Sequence, residues 1–199
     1  MAGSIGLLEV RGLSASILVL DTMMKTAQVT LIDIKKDMGG GLVTIVVRGA
    51  VDAVNASVEA GCAVSKQISE LIAYRVFANP HPETVMYLDG SYRKKHVAMG
   101  KESYGIIEVY GFVCAVTAVD AALKAADVRL VGMERTKGNT GIELIVALKI
   151  AGLPDAVLCA VQAGLAAAGL VGDIISSKMN ARPDEGIYRM ITYTNLKSD

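Results

Sequence analysis

Few side chains in this sequence have the types and spacing that chemistry requires. His81 and His96 are the only imidazoles, and neither stands at ligand spacing from a cysteine or from the other. A zinc site or a histidine-based triad needs such neighbours. Cys62, Cys114 and Cys159 are odd in number, widely spaced and set among Ala, Gly and Val, so they read as small buried hydrophobes rather than as disulfide partners. Gly39-Gly40-Gly41 raises the question of a phosphate loop, but it joins two predicted strands, no helix follows, and no Gly-Lys-Ser/Thr ends it. Glu9 and Glu108 fall in predicted central strands, where a carboxylate needs a donor; a functional pair is possible, and structural hydrogen bonding is the favoured reading. Asp21 with Lys25, and Asp120 with Lys124, stand four apart with the acid first, the favourable order for a helix-surface ion pair. No catalytic constellation, metal site or cofactor motif emerges, and an enzyme is not expected.

These matched pairs belong to a duplication. Ile5 to Leu31 aligns with Tyr104 to Leu130, 99 positions later, with nine identities in 27 positions; roughly two are expected from composition. Each copy reads β-α-β-β-α-β. In the first, residues 5–11 form an apolar run ended by Gly12, and Ser14 to Gln28 carries Ile17, Leu20, Met24 and Ala27 on one helical face. A strand near Val29 to Lys35 then turns through residues 37–41 into Leu42 to Arg48, an antiparallel hairpin. Asp52 is placed to cap a helix over Ala53 to Ile68, with Val54, Val58 and Gly61 on one face, and a strand over Ile72 to Ala78 stops at Asn79-Pro80. In the second copy the offset becomes 103 beyond the hairpin, placing Asp155, Gly164 and Pro183 opposite Asp52, Gly61 and Pro80. The order implies an α+β fold, two tandem ferredoxin-like units each with an antiparallel sheet and both helices on one face. The units span residues 1–83 and 104–199. Between them, residues 84–103 read as a polar, solvated linker with the basic cluster Arg93-Lys94-Lys95, and the end of the tail, Asn195 to Asp199, is expected to fray.

Composition narrows the function classes. Twenty basic and twenty acidic residues balance, which removes the electrostatic footprint of a nucleic-acid or anionic-membrane binder. The chain is 52% hydrophobic, more apolar surface than a small monomer easily hides, which points to subunit contacts. The longest apolar tract, Ala156 to Gly172, is too short and too rich in Ala and Gly for a membrane span, and no basic region precedes an apolar core at the N-terminus, so a cytoplasmic location is expected.

Taken together, the ordered motifs resemble the bacterial microcompartment (BMC) shell-protein family. They are Gly6-Leu7-Leu8-Glu9, Asp21 through Lys25 with Ala27, Val29 and Leu31, Met38 to Gly41, Gly49-Ala50-Val51, Ala60-Gly61, and Asn79-Pro80-His81-Pro82-Glu83. The second copy supplies Gly105-Ile106-Ile107-Glu108, Asp120 through Leu130, Gly138 to Gly141, Ala163-Gly164 and Arg182-Pro183-Asp184-Glu185. Their unpermuted order is similar to that of the non-permuted tandem class. The resemblance implies a homotrimer shaped like a hexamer, tiling with other shell proteins around encapsulated enzymes in the cytoplasm. It implies no binding to nucleic acid or membrane.

The resemblance also implies sites. Lys25 and Lys124 take the place of the family's tile-edge lysine, and Asn79 and Arg182 that of its edge arginine, so the two kinds of edge are expected to differ. The pore would be ringed by Met38, Gly39, Gly40 and Gly41, alternating with Lys137, Gly138, Asn139, Thr140 and Gly141, and would pass small polar or anionic metabolites. Some tandem members hold an iron–sulfur cluster through a pore-loop cysteine; Gly39 stands there, so no cluster is expected. The alternative function is a trimeric ferredoxin-like small-molecule sensor or regulatory protein.

Overall fold

The computed structural model describes residues 3–36, 38–92, 102–137 and 144–196 of the 199. The first half runs β1 (Ser4–Arg11), α1 (Leu13–Thr26), β2 (Val29–Lys35), β3 (Leu42–Gly49), α2 (Val51–Ile68) and β4 (Leu71–Phe77), followed by a short helix α3 (Pro82–Leu88). The second runs β5 (Ser103–Tyr110), α4 (Phe112–Ala125), β6 (Val128–Lys137), β7 (Leu144–Gly152), α5 (Pro154–Ala168) and β8 (Ile174–Asn180), then a 3-10 turn (Glu185–Ile187) and α6 (Tyr188–Thr192). Each half forms one antiparallel sheet, ordered β2-β3-β1-β4 and β6-β7-β5-β8, so the strand carrying Glu9 or Glu108 is interior in both. The α+β, twice-repeated architecture expected from the sequence is the one observed.

Local chemistry explains the repeat's invariant positions. Gly12 and Gly111, at φ of 96° and 83°, turn each first strand straight into its helix through backbone space that L residues rarely enter. Gly6 and Gly105 serve a different need: a Cβ on Gly6 would lie 2.7 Å from Val58 and 2.8 Å from Val54, and one on Gly105 2.8 Å from Val161. Their absence lets α2 and α5 pack close on the sheets. The serine opening each first strand donates to a carbonyl just after the last strand, Ser4 to Ala78 and Ser103 to Ala181, both at 3.0 Å.

Two cores result. Leu8 and Val10 of β1 face the helices of their own half, with Val19, Met23, Val54 and Val58. Ile5 and Leu7, on the opposite face of the same strand, belong to a larger cluster that includes most of α4 and the core of the second half. β1 is therefore buried on both faces, and the halves share one apolar interior.

Several expectations are corrected. Asp52 does not cap α2: the cap position is Ala50, without a side-chain bond, and Asp52 lies in the first turn, where its charge suits the helix dipole. The stretch expected to be a solvated linker begins with a helix, in which Glu83, Thr84, Val85, Tyr87 and Leu88 are buried; the cluster Arg93-Lys94-Lys95 lies outside the described residues. Cys62 and Cys114 are buried as expected, whereas Cys159 is exposed on the outer side of α5. In the tail, Asn195 is pinned to Arg135 by a pair of bonds, Oδ1 accepting at 2.6 Å and Nδ2 donating at 3.0 Å, and residues 197–199 lie outside the described residues. The apolar stripe of α1 also faces the wrong way for its own core: Ala15, Ser16, Val19 and Met23 are the buried residues, while Ile17 and Met24 point to solvent.

The glycine argument is testable. Gly6→Ala and Gly105→Ala should each destabilise the fold by about 1–3 kcal/mol through overpacking against stiff valine side chains. A fall in the chemical-denaturation midpoint measures it, and an unchanged midpoint would contradict the packing account.

Candidate functional site

The chemistry-bearing residues of the repeat converge on the seam between the two halves. Glu9 is fully buried and reaches across it: its Oε1 accepts the Thr44 hydroxyl at 3.0 Å within its own sheet and the backbone N–H of Phe112, the first residue of α4, at 3.3 Å. A carboxyl at a helix N-terminus satisfies one of the unpaired amides there. Its Oε2 has no hydrogen-bond partner and lies against Gly111, where a Cβ would stand 3.0 Å from it. Burial pushes the Glu9 carboxyl above the usual carboxylate range, opposed by the bonds from Phe112 and Thr44.

A second tie runs the same way. Asp120 of α4 is buried, and its Oδ1 accepts the His81 backbone N–H at 2.6 Å while its Oδ2 accepts from Lys124 at 2.5 Å. One carboxylate thus places the Asn79–His81 segment of the first half beside Lys124 of the second. Further along, the Glu83 carboxylate accepts the Leu130 N–H at 2.9 Å, and the hydroxyls of Tyr92 and Tyr87 donate to the Leu130 and Leu196 carbonyls. Desolvation beside Glu83 pushes the Tyr92 phenol up to about 12.

The glycine-rich turn sits close by. Gly39, Gly40 and Gly41 all have positive φ, 89°, 63° and 71°, and the Arg11 guanidinium donates to the Gly40 carbonyl at 2.5 Å while pairing with Glu70 at 2.7 Å. Met38, expected among the loop residues, turns its side chain into the core, so the glycines are what the turn presents outward. A cleft of about 420 Å³ opens along the seam, lined by Glu9, Arg11, Leu42, Tyr110, Cys114 and Asp173 among others. Burial, with Glu9 and Asp173 nearby, pushes the Cys114 thiol up to about 11, leaving it little thiolate for chemistry. Lys137 ends β6; Gly138, Asn139, Thr140 and Gly141 lie outside the described residues.

The remaining predicted positions are at the surface. Lys25 is exposed and bonds Asp21 at 2.6 Å, and Asn79 and Arg182 are exposed. No group of three His, Cys, Asp or Glu side chains among the described residues could hold a metal ion, and no described helix is long and apolar enough to cross a membrane. Sequence reasoning missed Lys149, a buried lysine that donates to Glu134 and to the carbonyls of Met190 at 3.2 Å and Tyr193 at 2.8 Å, anchoring α6. It also missed the Glu9–Phe112 bond, for which the only signal was a glutamate repeated on a central strand.

The fold is a tandem pair of α+β units joined across a seam by a buried carboxyl, with a glycine turn beside it. The BMC domain model matches residues 4–80 and 103–183, and the chain belongs to the BMC domain family, with two copies in tandem. It is 32% identical over 188 residues to the carboxysome assembly protein CcmO of Synechococcus elongatus, covering 92% of this chain and 66% of that protein, a little under two thirds of its length. It is 41% identical over 80 residues to the bacterial microcompartment shell protein PduA of Citrobacter freundii, covering 40% of this chain and 85% of PduA. The crystal structure of a microcompartment protein from Desulfitobacterium hafniense superposes with a TM-score of 0.74 at 26% identity, covering 95% of this chain and 99% of that one. CcmO is named an assembly protein and PduA a shell protein, structural roles rather than catalytic ones.

The raised Glu9 carboxyl predicts a pH dependence. The folded state keeps a proton that the unfolded chain loses in the ordinary carboxylate range, so Glu9's contribution to stability falls as pH rises through its raised pKa. Glu9→Gln should therefore gain in Tm on the parent protein as pH rises above the ordinary carboxylate range. Thermal melts over a pH series check it; parallel pH profiles would contradict it.

Proposed function

We propose that this chain is a shell tile of a bacterial microcompartment, three copies closing into a pseudohexameric ring that packs with other shell proteins into a facet around encapsulated enzymes. The similarity to CcmO, PduA and the Desulfitobacterium structure supports the shell role. One observation carries the ring. Eleven of the fourteen residues of α4 are buried, against four of the fourteen in its repeat counterpart α1. Phe112, Val116 and Leu123 are 1%, 1% and 5% exposed; Leu13, Ile17 and Met24, at the same repeat positions, are 55%, 60% and 47% exposed. The face that α4 buries on the first half is presented by α1 with nothing among the described residues to cover it. Fully burying such a side chain contributes roughly 1.5–3 kcal/mol, which favours a head-to-tail contact that closes into a ring.

In that ring the three Gly39–Gly41 turns alternate with the three segments of residues 137–141 around an axial pore. Backbone dipoles rather than a charged ring would select small polar or anionic metabolites, and the pore carries no cluster. The tile edges expose Lys25 and Lys124, with Asn79 on one kind of edge and Arg182 on the other. Similarity to shell proteins and the absence of any long apolar helix among the described residues support a place in the shell rather than in a membrane.

The purified chain should run as a trimer and form flat hexagonal sheets on a grid. Lys25→Glu with Lys124→Glu should abolish the sheets while trimers persist; intact sheets would refute the edge assignment, and a monomer would refute the ring. At the pore, Gly40 occupies the left-handed well that a larger residue enters at about 1–2 kcal/mol, so Gly40→Tyr should be tolerated and should slow metabolite flux into reconstituted shells. Unchanged flux would exclude this turn from the pore.

A further inference from the structure

Two of the ties across the internal seam, Glu9 to Phe112 and Asp120 to His81, have duplicates on the outside of the chain whose two members do not meet each other. Glu9 bonds the N–H of Phe112; the repeat partners of these residues are Glu108 and Leu13. Glu108 is half-buried and accepts the Ser176 hydroxyl at 2.6 Å, and no side chain among the described residues accepts from the N–H of Leu13, which opens α1. Gly111 is covered by the Glu9 carboxylate, whereas a Cβ on its partner Gly12 would meet nothing within 4 Å. Asp120 takes the His81 N–H; the partners are Asp21, whose side chain is 52% exposed, and Asp184. The last two match in detail, since His81 and Asp184 each begin a helical turn and each accepts the N–H two residues on, at 3.2 Å and 2.8 Å.

The direction of these ties is consistent. Across the internal seam the first half supplies the carboxyl of Glu9 and the N–H of His81, and the second half supplies the N–H of Phe112 and the carboxylate of Asp120. The unused set has Glu108 and Asp184 on the second half, Leu13 and Asp21 on the first. They cannot meet within one chain, because the second half already docks its α4 on the first. They can meet when the second half of one copy takes the first half of another.

We infer that the surface formed by Leu13, Ile17, Asp21 and Met24 is the docking site for the second half of another copy of this chain. In the joint, Glu108 accepts the N–H of Leu13 and Asp21 accepts the N–H of Asp184, each from the neighbouring copy. The inference rests on the ring proposed above and assigns its fastening. Glu108 is a positioning residue in this joint: it fixes the depth and register at which α1 seats, and the apolar stripe supplies most of the area.

The test measures assembly and amide protection together on the full chain. Mass photometry over a dilution series should show Glu108→Ala and Asp21→Ala each weakening association by roughly 10- to 100-fold per joint, the range for a hydrogen bond to a charged group. Glu108→Gln, which keeps an acceptor, should restore most of the loss. Hydrogen exchange should show the amides of residues 13–16 protected in the assembled protein and deprotected in Glu108→Ala, with the residues 112–115 amides unchanged. A chain that never associates overturns both the ring and the joint. An assembly whose dissociation and residue 13–16 protection are indifferent to Glu108→Ala and Asp21→Ala keeps the ring and overturns the joint. Unaltered melting of both variants under conditions where they are monomeric separates loss of association from misfolding.

Discussion

The Glu9 carboxyl, buried between the halves, is the constraint from which the rest of the molecule follows. A carboxyl on an interior strand must find donors, and the strand's own hydrogen bonds are committed to β3 and β4. The threonine directly opposite in register supplies one, and the other comes from the start of a helix in the second half. To satisfy that bond, α4 must sit end-on to the first sheet, with Gly111 tight against the carboxylate and the apolar residues of α4 spread over Ile5 and Leu7. Relative placement of the two units is thus set by hydrogen-bonding necessity at one point and filled in by apolar packing around it.

That arrangement makes the two copies unequal without changing their fold. In the second half Ala147 stands where Thr44 stands in the first, and Ser176 on the other neighbouring strand holds Glu108 instead. Each glutamate keeps one hydroxyl from its own sheet, but only Glu9 has its helix. The register irregularities recur at matching places, between Glu9 and Val10 and between Glu108 and Val109, so the backbone preserves the geometry on both sides while only one side is occupied.

Much of this was legible in the sequence, and the failures share a physical cause. The order of elements, the hairpins and the first glycine turn follow from local rules of alternation, φ preference and loop length, and they agree with the structure. The stripe Ile17, Leu20, Met24 was correctly read as one helical face, but periodicity reports only that a face is apolar, not which neighbour covers it. The same ambiguity hid the burial of residues 83–88, whose partners lie on α4 and β6, and the cap on α4, whose carboxylate is 103 residues away in the chain. Lys149 was invisible because a lysine on a strand reads as solvent-facing until the tail that wraps it is known. The glycine turn is tied beside the seam by the Gly12 N–H, which bonds the Gly41 carbonyl at 2.7 Å, and by Arg11, whose second-copy partner is Tyr110 and which the repeat comparison therefore passes over.

The divergence of the two helices carries the argument one step further. Ser14, Ser16, Thr22 and Thr26 of α1 stand opposite Val113, Ala115, Ala121 and Ala125 of α4. A helix that is covered as soon as its own chain folds can be apolar nearly all round, and α4 is. A helix that must stay in water until a partner arrives cannot, because a continuous apolar face of that size would drive non-specific association. Thr22 donates to the Leu18 carbonyl at 3.0 Å and Thr26 to Thr22 at 2.8 Å, so these hydroxyls need neither water nor a partner's polar group, while Ser16, bonded to the Leu13 carbonyl at 2.7 Å, is already buried. Such a face can be wet before docking and dry after it without leaving an unsatisfied donor in either state. Duplication and fusion made one joint part of a core and left the other an interface, and the two helices record which is which.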